Sequence, residues 1–237
     1  PVPISMDDYY KERLNTPRKA DGSYDFESVE AIDLELFNDH LKRLLAGETV
    51  KIPKYNFRTG LREYRGRELT LSDNSVLIVE GIHGLNERIS AVVPARNKLK
   101  VYISALTPMS LDDYNRIQTT DMRLLRRLVR DSQFRSHDAL MTLKLWDDVR
   151  RGEEKYIFPF QEEADIIFNT TLAYEFAVLK KYAEPLLQGV PETEAVYTNA
   201  QRLLGLLSHV KPLDKELIPK NSILREFVGG SAFKEAL

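Results

Sequence analysis

About a third of the way along the chain, Val76-Leu77-Ile78-Val79 run apolar without alternation until the carboxylate of Glu80 and then Gly81 end the run. A run this short and continuous fits a strand covered on both faces, as the strands of parallel sheets are. Residues 99–104 (Leu-Lys-Val-Tyr-Ile-Ser) and 165–168 (Asp-Ile-Ile-Phe) read as two more strands, and Val2 and Ile4 place a fourth in residues 1–6. Amphipathic stretches separate them. Residues 29–46 put Leu34, Phe37, Leu41, Leu44 and Leu45 on one face, with Gly47 as the C-cap. Residues 110–150 read as one long helical stretch, and 172–188 and 193–208 as two further helices. Between them, residues 48–72 alternate around Thr59-Gly60 and predict a hairpin excursion. Strands separated by helices predict an α/β fold with a parallel sheet flanked by helices. The expected division is an α/β domain over 1–209 and an irregular tail over 210–237, which contains Pro212, Pro219 and Gly229-Gly230.

Composition narrows the function. Lys and Arg number 34 against 36 Asp and Glu, a net charge of −2, so the overall basic excess of a non-specific nucleic-acid binder is missing. The chain has no cysteine, which excludes thiol catalysis, Cys-ligated zinc, iron–sulfur clusters and disulfides. The four histidines (His40, His83, His137, His209) are dispersed without metal-ligand spacing, and neither GxSxG nor HExxH occurs. No apolar run approaches the roughly 18–20 residues of a membrane span. The expectation is a cytoplasmic protein with no membrane partner.

Four segments could carry chemistry. Asp7 and Asp8 follow the end of the first strand, where open α/β sheets bind ligands; as a base or metal ligand one of them is functional, and as helix caps both are structural. Glu80 ends the apolar strand before Gly81, a placement like that of the carboxylate that organises Mg²⁺ at nucleotide sites; an ordinary strand-ending turn is the other reading. Arg123, Arg126, Arg127 and Arg130 recur at i, i+3, i+4 and i+7, opposite Leu124, Leu125, Leu128 and Val129, with Arg135 about a turn further on. Such a stripe needs anions or carboxylates facing it, and guanidinium forks suit phosphate oxygens; the competing partners are Asp121 and Asp131. Finally, Tyr55 and Phe57 on the hairpin could stack on a planar ring or could be core. There is no GxxxxGK[ST] phosphate loop.

In order and spacing, "SMDDYY", "DGSYDFESVEAID", "IPKYNF", "LIVEGIHGL" and "RLLRRLVRDSQFR" together resemble the uridine kinase (uridine–cytidine kinase) branch of the P-loop kinases, within the phosphoribulokinase/uridine kinase group. "RRGEEKYIFPFQEEADIIFN" and "NSILREFVGGSAF" resemble a bacterial nucleoside kinase subgroup. The resemblance implies a P-loop kinase-type sheet and ATP-dependent phosphorylation of a nucleoside 5′-hydroxyl, of uridine/cytidine type, with Mg²⁺. It implies Asp7 as the catalytic base near the metal, Tyr10 as a contact beside it, Glu27 on the ribose hydroxyls, and Tyr55 and Phe57 around the base. It further implies Glu80 near Mg²⁺, Arg127 and Arg130 on substrate and phosphates, and Arg135 in the lid; the helical spacing adds Arg123 and Arg126 to the expected phosphate-facing groups. His137 stands where these kinases have a base-contacting Arg and Gly60 roughly where they have a base-reading His, which leaves the acceptor base open. Residues 105–120 read as an insertion. The family's first strand, P-loop and first helix should precede Pro1. The chain is therefore expected to be a fragment, with a sheet gap between 76–80 and 99–104 and no productive ATP binding of its own. The alternatives are a non-catalytic nucleotide- or RNA-binding module and a phosphoribulokinase-like sugar-phosphate kinase. Homo-oligomerisation is left open.

Overall fold

The computed structural model describes residues 1–106, 109–114, 116–135 and 137–233. The chain divides into two compact units, Pro1–Tyr102 with Val149–Ile167, and Ile103–Asp148 with Phe168–Leu237. The expected division after residue 209 therefore does not match the packing, because the C-terminal segment belongs to the second unit.

In the first unit, β1 (Val2–Ser5) leads into a 3-10 turn over Met6–Tyr9, and α1 spans Leu34–Leu45. The expected helix over 29–46 begins late for a local reason. Val29–Ala31 form a separate 3-10 turn, Ile32 is extended, and the Asp33 carboxylate caps α1 by accepting from the Leu36 N–H at 3.1 Å. Its end follows the sequence: Gly47 has φ +78, its N–H donates to the Leu44 carbonyl and that of Glu48 to the Arg43 carbonyl. This is the Schellman arrangement, which needs a residue tolerant of positive φ.

The 48–72 segment forms two short antiparallel ladders, β2 (Val50–Lys51) with β5 (Glu68–Leu69) and β3 (Lys54–Asn56) with β4 (Leu61–Glu63). Then β6 (Leu77–Glu80) pairs in parallel with β1, in the register Ser5 opposite Glu80. The expectation that 76–80 is buried on both faces fails: Ile78 is 47% exposed and Leu77 and Val79 are half-buried, so β6 covers one face only. The core lies on that covered side, around Ile4, Met6, Tyr9, Phe37, Leu41 and Ile89.

The strand β7 (Val101–Ser104) pairs with β8 (Ile166–Asn169); no ladder joins β6 to β7 among the described residues. The expected helix over 110–150 is two helices, α2 (Thr119–Phe134) and α3 (Ala139–Tyr156). In the second unit α2 packs on α4 (Glu175–Gln188) and α6 (Arg225–Val228), and α4 on α5 (Tyr197–Ser208). The 210–233 segment is largely irregular, yet Leu224, Phe227 and Val228 are buried. Arg225 ties its turns together by donating to the carbonyls of Lys215 (2.8 Å) and Ile218 (2.9 Å).

Candidate active site

The carboxylates of the first unit sit at the carboxyl ends of two neighbouring parallel strands. Glu80 ends β6 and is exposed; Asp7 lies two residues beyond β1, half-buried. The register fixes this pairing, and Gly81 makes it fit. Gly81 has φ +150, and a Cβ there would stand 2.9 Å from Met6 Cβ. The two acids after β1 separate in role. Asp8 is buried and forms an ion pair with Lys54 Nζ at 3.4 Å, which ties the strand end to the hairpin. Neither acid caps the turn, whose N-cap is Ser5 without a side-chain bond.

Beside Asp7 begins an aromatic cluster. The Tyr10 hydroxyl donates to the Phe26 carbonyl at 3.2 Å, and burial first, then the Asp7 and Glu27 charges, push its acidity well below that of a free phenol. The Tyr10 ring centroid lies 5.5 Å from that of Tyr55 and 5.9 Å from that of Phe57. Tyr55 and Phe57 alternate onto the same face of the hairpin but differ in depth: Tyr55 is 3% exposed and belongs to the core, whereas Phe57 is 58% exposed. Of the two expected stacking rings, only Phe57 offers an open face.

Glu27 is held in place by close packing. A Cβ at Gly152 would stand 2.6 Å from Glu27 Cβ, so α3 approaches the 25–27 segment as near as backbone can. Tyr156 Oη donates to Asp25 at 3.2 Å, and its ring meets His83 edge to face at 6.3 Å. His83 is buried, and burial pushes its pKa down to about 4, against a smaller upward pull from the backbones of Tyr156 and Glu27. It is a neutral packing group of the Glu27 segment. Gly152, Tyr156 and this role of His83 left no signal in the sequence beyond residue type.

In the second unit the Arg stripe divides. Arg126 is not available for phosphate. It is 8% exposed and reaches Glu175, which is fully buried, through both its Nε and its Nη2, the latter at 2.7 Å. Its remaining donors bond Thr170 Oγ1 at 3.0 Å and the Thr170 carbonyl at 2.9 Å. This corrects its expected place among phosphate-facing groups. Asp121 faces Arg202 through two bonds of 2.7 Å, not the stripe.

The others converge on one carboxylate. Arg127 Nε is 3.2 Å, Arg130 Nε 3.4 Å and Arg135 Nη1 3.6 Å from the buried Asp131. Among the described residues, three guanidinium groups face this one carboxylate, a local excess of two positive charges. Burial first, then the Arg135 charge, pushes the Arg130 pKa down, the sign expected of a cation short of counter-charge. His137 joins them: its backbone N–H donates to the Asp131 carbonyl at 3.2 Å, and among the described residues its buried Nδ1 has no hydrogen-bond partner. Arg123 lies on α2 one turn before Arg127, half-buried.

Among the described residues, no group of three or more His, Cys, Asp or Glu side chains could hold a metal ion. A pair of carboxylates at the strand ends fits Mg²⁺, which keeps several waters and shares substrate phosphates rather than filling an all-protein cage.

The family model described as "Phosphoribulokinase / Uridine kinase family" matches residues 2–175. The chain belongs to this family. A protein named "Uridine kinase" from Tolumonas auensis is 32% identical over 69% of this chain and 69% of its own length. Another of that name from Mycoplasma pneumoniae is 26% identical over 77% and 82%. A third, from Halobacterium salinarum, is 27% identical over 69% of this chain; the match spans 65% of that protein's length. That description names two phosphotransferases. No helix among the described residues is long and apolar enough to cross a membrane.

Proposed function

We propose that the chain serves an ATP-dependent nucleoside kinase that phosphorylates the 5′-hydroxyl of a uridine- or cytidine-type acceptor. The carrying observation is the continuous path in the first unit from a strand-end carboxylate, through Tyr10, to the open ring of Phe57. A base stacked on Phe57 extends its ribose toward Glu27 and its hydroxymethyl group toward Asp7. Asp7 takes the proton from the 5′-hydroxyl as the oxygen bonds the γ-phosphorus and the bond to the β-phosphate bridging oxygen breaks. Glu80, with Asp7, would hold Mg²⁺, which neutralises charge on the phosphate oxygens. In the second unit, Arg127, Arg130 and Arg135 carry positive charge that Asp131 does not balance, which suits them to phosphate oxygens, and His137 borders them. Arg126 orders the helix that carries them.

A phosphoribulokinase-like reading gives Phe57 no ring to stack on. An RNA-binding reading asks for a long basic surface, whereas the Arg stripe narrows to one cluster around Asp131. The test is ADP formation with MgATP and uridine, cytidine, adenosine, guanosine or ribulose 5-phosphate, together with calorimetric binding of each acceptor. Saturable binding of a nucleoside, lost in Phe57→Ala, is the expected result. Response to ribulose 5-phosphate alone, or binding only to RNA with a steep salt dependence, overturns the reading.

A further inference from the structure

Arg13 begins a short 3-10 turn over Arg13–Asn15 and lies against the hairpin. Its N–H donates to the Gly60 carbonyl at 2.9 Å, and its Nη2 donates to the Phe57 carbonyl at 2.7 Å. The side chain crosses Gly60 so closely that a Cβ there would stand 2.7 Å from Arg13 Cβ and Nε and 2.9 Å from Cζ. Gly60 also has φ +73, so residue 60 cannot carry a side chain while Arg13 holds this position. The guanidinium thus occupies the space that a side chain at residue 60 would otherwise fill, bonded to the carbonyl of Phe57.

Its donors are not used up. Among the described residues Nε and Nη1 have no acceptor, whereas Arg62, a half-buried arginine of the hairpin, is paired with Asp33 at 2.7 Å. The neighbouring Tyr55 hydroxyl is buried and has no hydrogen-bond partner among the described residues. Burial pushes its pKa up, and the Arg13 charge is the main opposing influence, which places the guanidinium within electrostatic reach of that hydroxyl. The residue that supplies the open ring therefore holds, by its carbonyl, a guanidinium with spare N–H groups, and its ring packs at 5.0 Å on that of Tyr55.

We propose that Arg13 determines acceptor specificity by selecting bases with an exocyclic carbonyl over bases with an exocyclic amine. The inference rests on the nucleoside reading above. A guanidinium only donates, whereas a tyrosine hydroxyl either donates or accepts. A base stacked on Phe57 turns an edge to Arg13. Uridine and inosine present a carbonyl oxygen at C4 or C6, which accepts from the guanidinium. Cytidine and adenosine present an amine there, which sets donor against donor. A site built around a buried or half-buried donor rejects the unmatched analogue strongly.

The test is calorimetric binding of two matched pairs, uridine against cytidine and inosine against adenosine, to the chain and to Arg13→Met, Arg13→Gln and Arg13→Lys. The expected preference for the carbonyl member is roughly tenfold or more in the parent, the scale of one good base-edge contact. It should fall to about threefold or less in Arg13→Met, which has no donor, and in Arg13→Gln, whose amide also accepts. Arg13→Lys, still donor-only, should retain part of it. Circular dichroism checks each variant for folding, and Arg13→Gln keeps the test decisive if Arg13→Met does not fold. Nucleosides that bind the parent without carbonyl preference, or a preference that survives in Arg13→Met or Arg13→Gln, overturn the role of Arg13 and leave the nucleoside reading standing. A parent that binds none of the four overturns both.

Discussion

Replacing Glu175 by Gln removes the charge facing Arg126 but keeps the volume. In the structure Glu175 is fully buried, accepts from Arg126 through both oxygens, and also accepts from the Leu172 N–H at 3.3 Å. Arg126 keeps its two bonds to Thr170 and lies with Cζ 5.2 Å from the Phe227 ring, so it stays where it is as a cation without a counter-charge. Breaking a buried pair from one side costs about 3–5 kcal/mol. The retained Thr170 and Phe227 contacts put the expected loss at the lower end, about 3 kcal/mol. For a chain of this size that lowers the melting temperature by roughly 6–12 °C. The double variant Arg126→Met with Glu175→Leu should recover most of the loss, because a well-packed apolar replacement of a buried pair is often neutral. Thermal melts by circular dichroism read both. A Glu175→Gln melt within about 2 °C of the parent, or a double variant no better than the single, refutes the claim that this arginine is structural. So does an Arg126→Met variant of unchanged stability whose only defect is a raised KM for ATP.

Four shorter predictions follow from the first unit. Asp7→Asn should lower kcat about 10²–10⁴-fold with acceptor binding little changed, the span typical of a lost general base; equal turnover removes Asp7 from the proton transfer. Phe57→Ala should weaken nucleoside binding by about 1–3 kcal/mol, as loss of one stacking ring does, without lowering the melting temperature, because the ring is exposed; a large loss of stability instead makes it a core residue. Gly81→Ala should lower the melting temperature, since it meets both a positive φ and the Met6 side chain; an unchanged melt refutes the close approach. His83 has a folded pKa of about 4 against an ordinary value of 6.5. Its neutral form is favoured in the fold, so its contribution is complete above about pH 6.5 and is lost as pH falls toward 4. The loss amounts to about 3 kcal/mol. His83→Gln should flatten this acid limb in melts from pH 7 to 4; an unchanged slope assigns the limb to other groups.

The strand ends were legible because their signal is local. An apolar run that stops at a carboxylate and a glycine specifies both the strand and the turn, and Glu80 and Asp7 stand at the ends of paired strands as that pattern implies. The C-cap at Gly47 was legible for the same reason. The break before α1 was not, because Ile32 continues the apolar spacing and only the Asp33 side chain bonding back to Leu36 marks the start. On α2, spacing gives a face but not its partners. Nothing in i, i+3, i+4, i+7 separates Arg126, whose carboxylate lies 49 residues away, from Arg127, whose carboxylate lies one turn away. The hairpin shows the same limit. Alternation puts Tyr55 and Phe57 on one face and cannot tell that Tyr10 covers the first while the second stays open.

Arg13 marks where sequence reading by position stops. Gly60 read alone is the loss of a reading group, since glycine offers no side chain to a base. In the structure the glycine and Arg13 are one arrangement. Positive φ and the missing Cβ at residue 60 are what allow a guanidinium to cross from residue 13 and bond the carbonyl of Phe57. Restoring a side chain at residue 60 therefore does not add a second reading group to the first; it displaces the arginine. Gly60→His should accordingly abolish the carbonyl preference as thoroughly as Arg13→Met does, and combining the two should cost no further selectivity, because contacting residues that act as one unit are not additive. Additive losses in the double variant would mean that the two positions read the acceptor independently, and that the close packing of Arg13 on Gly60 has no part in recognition.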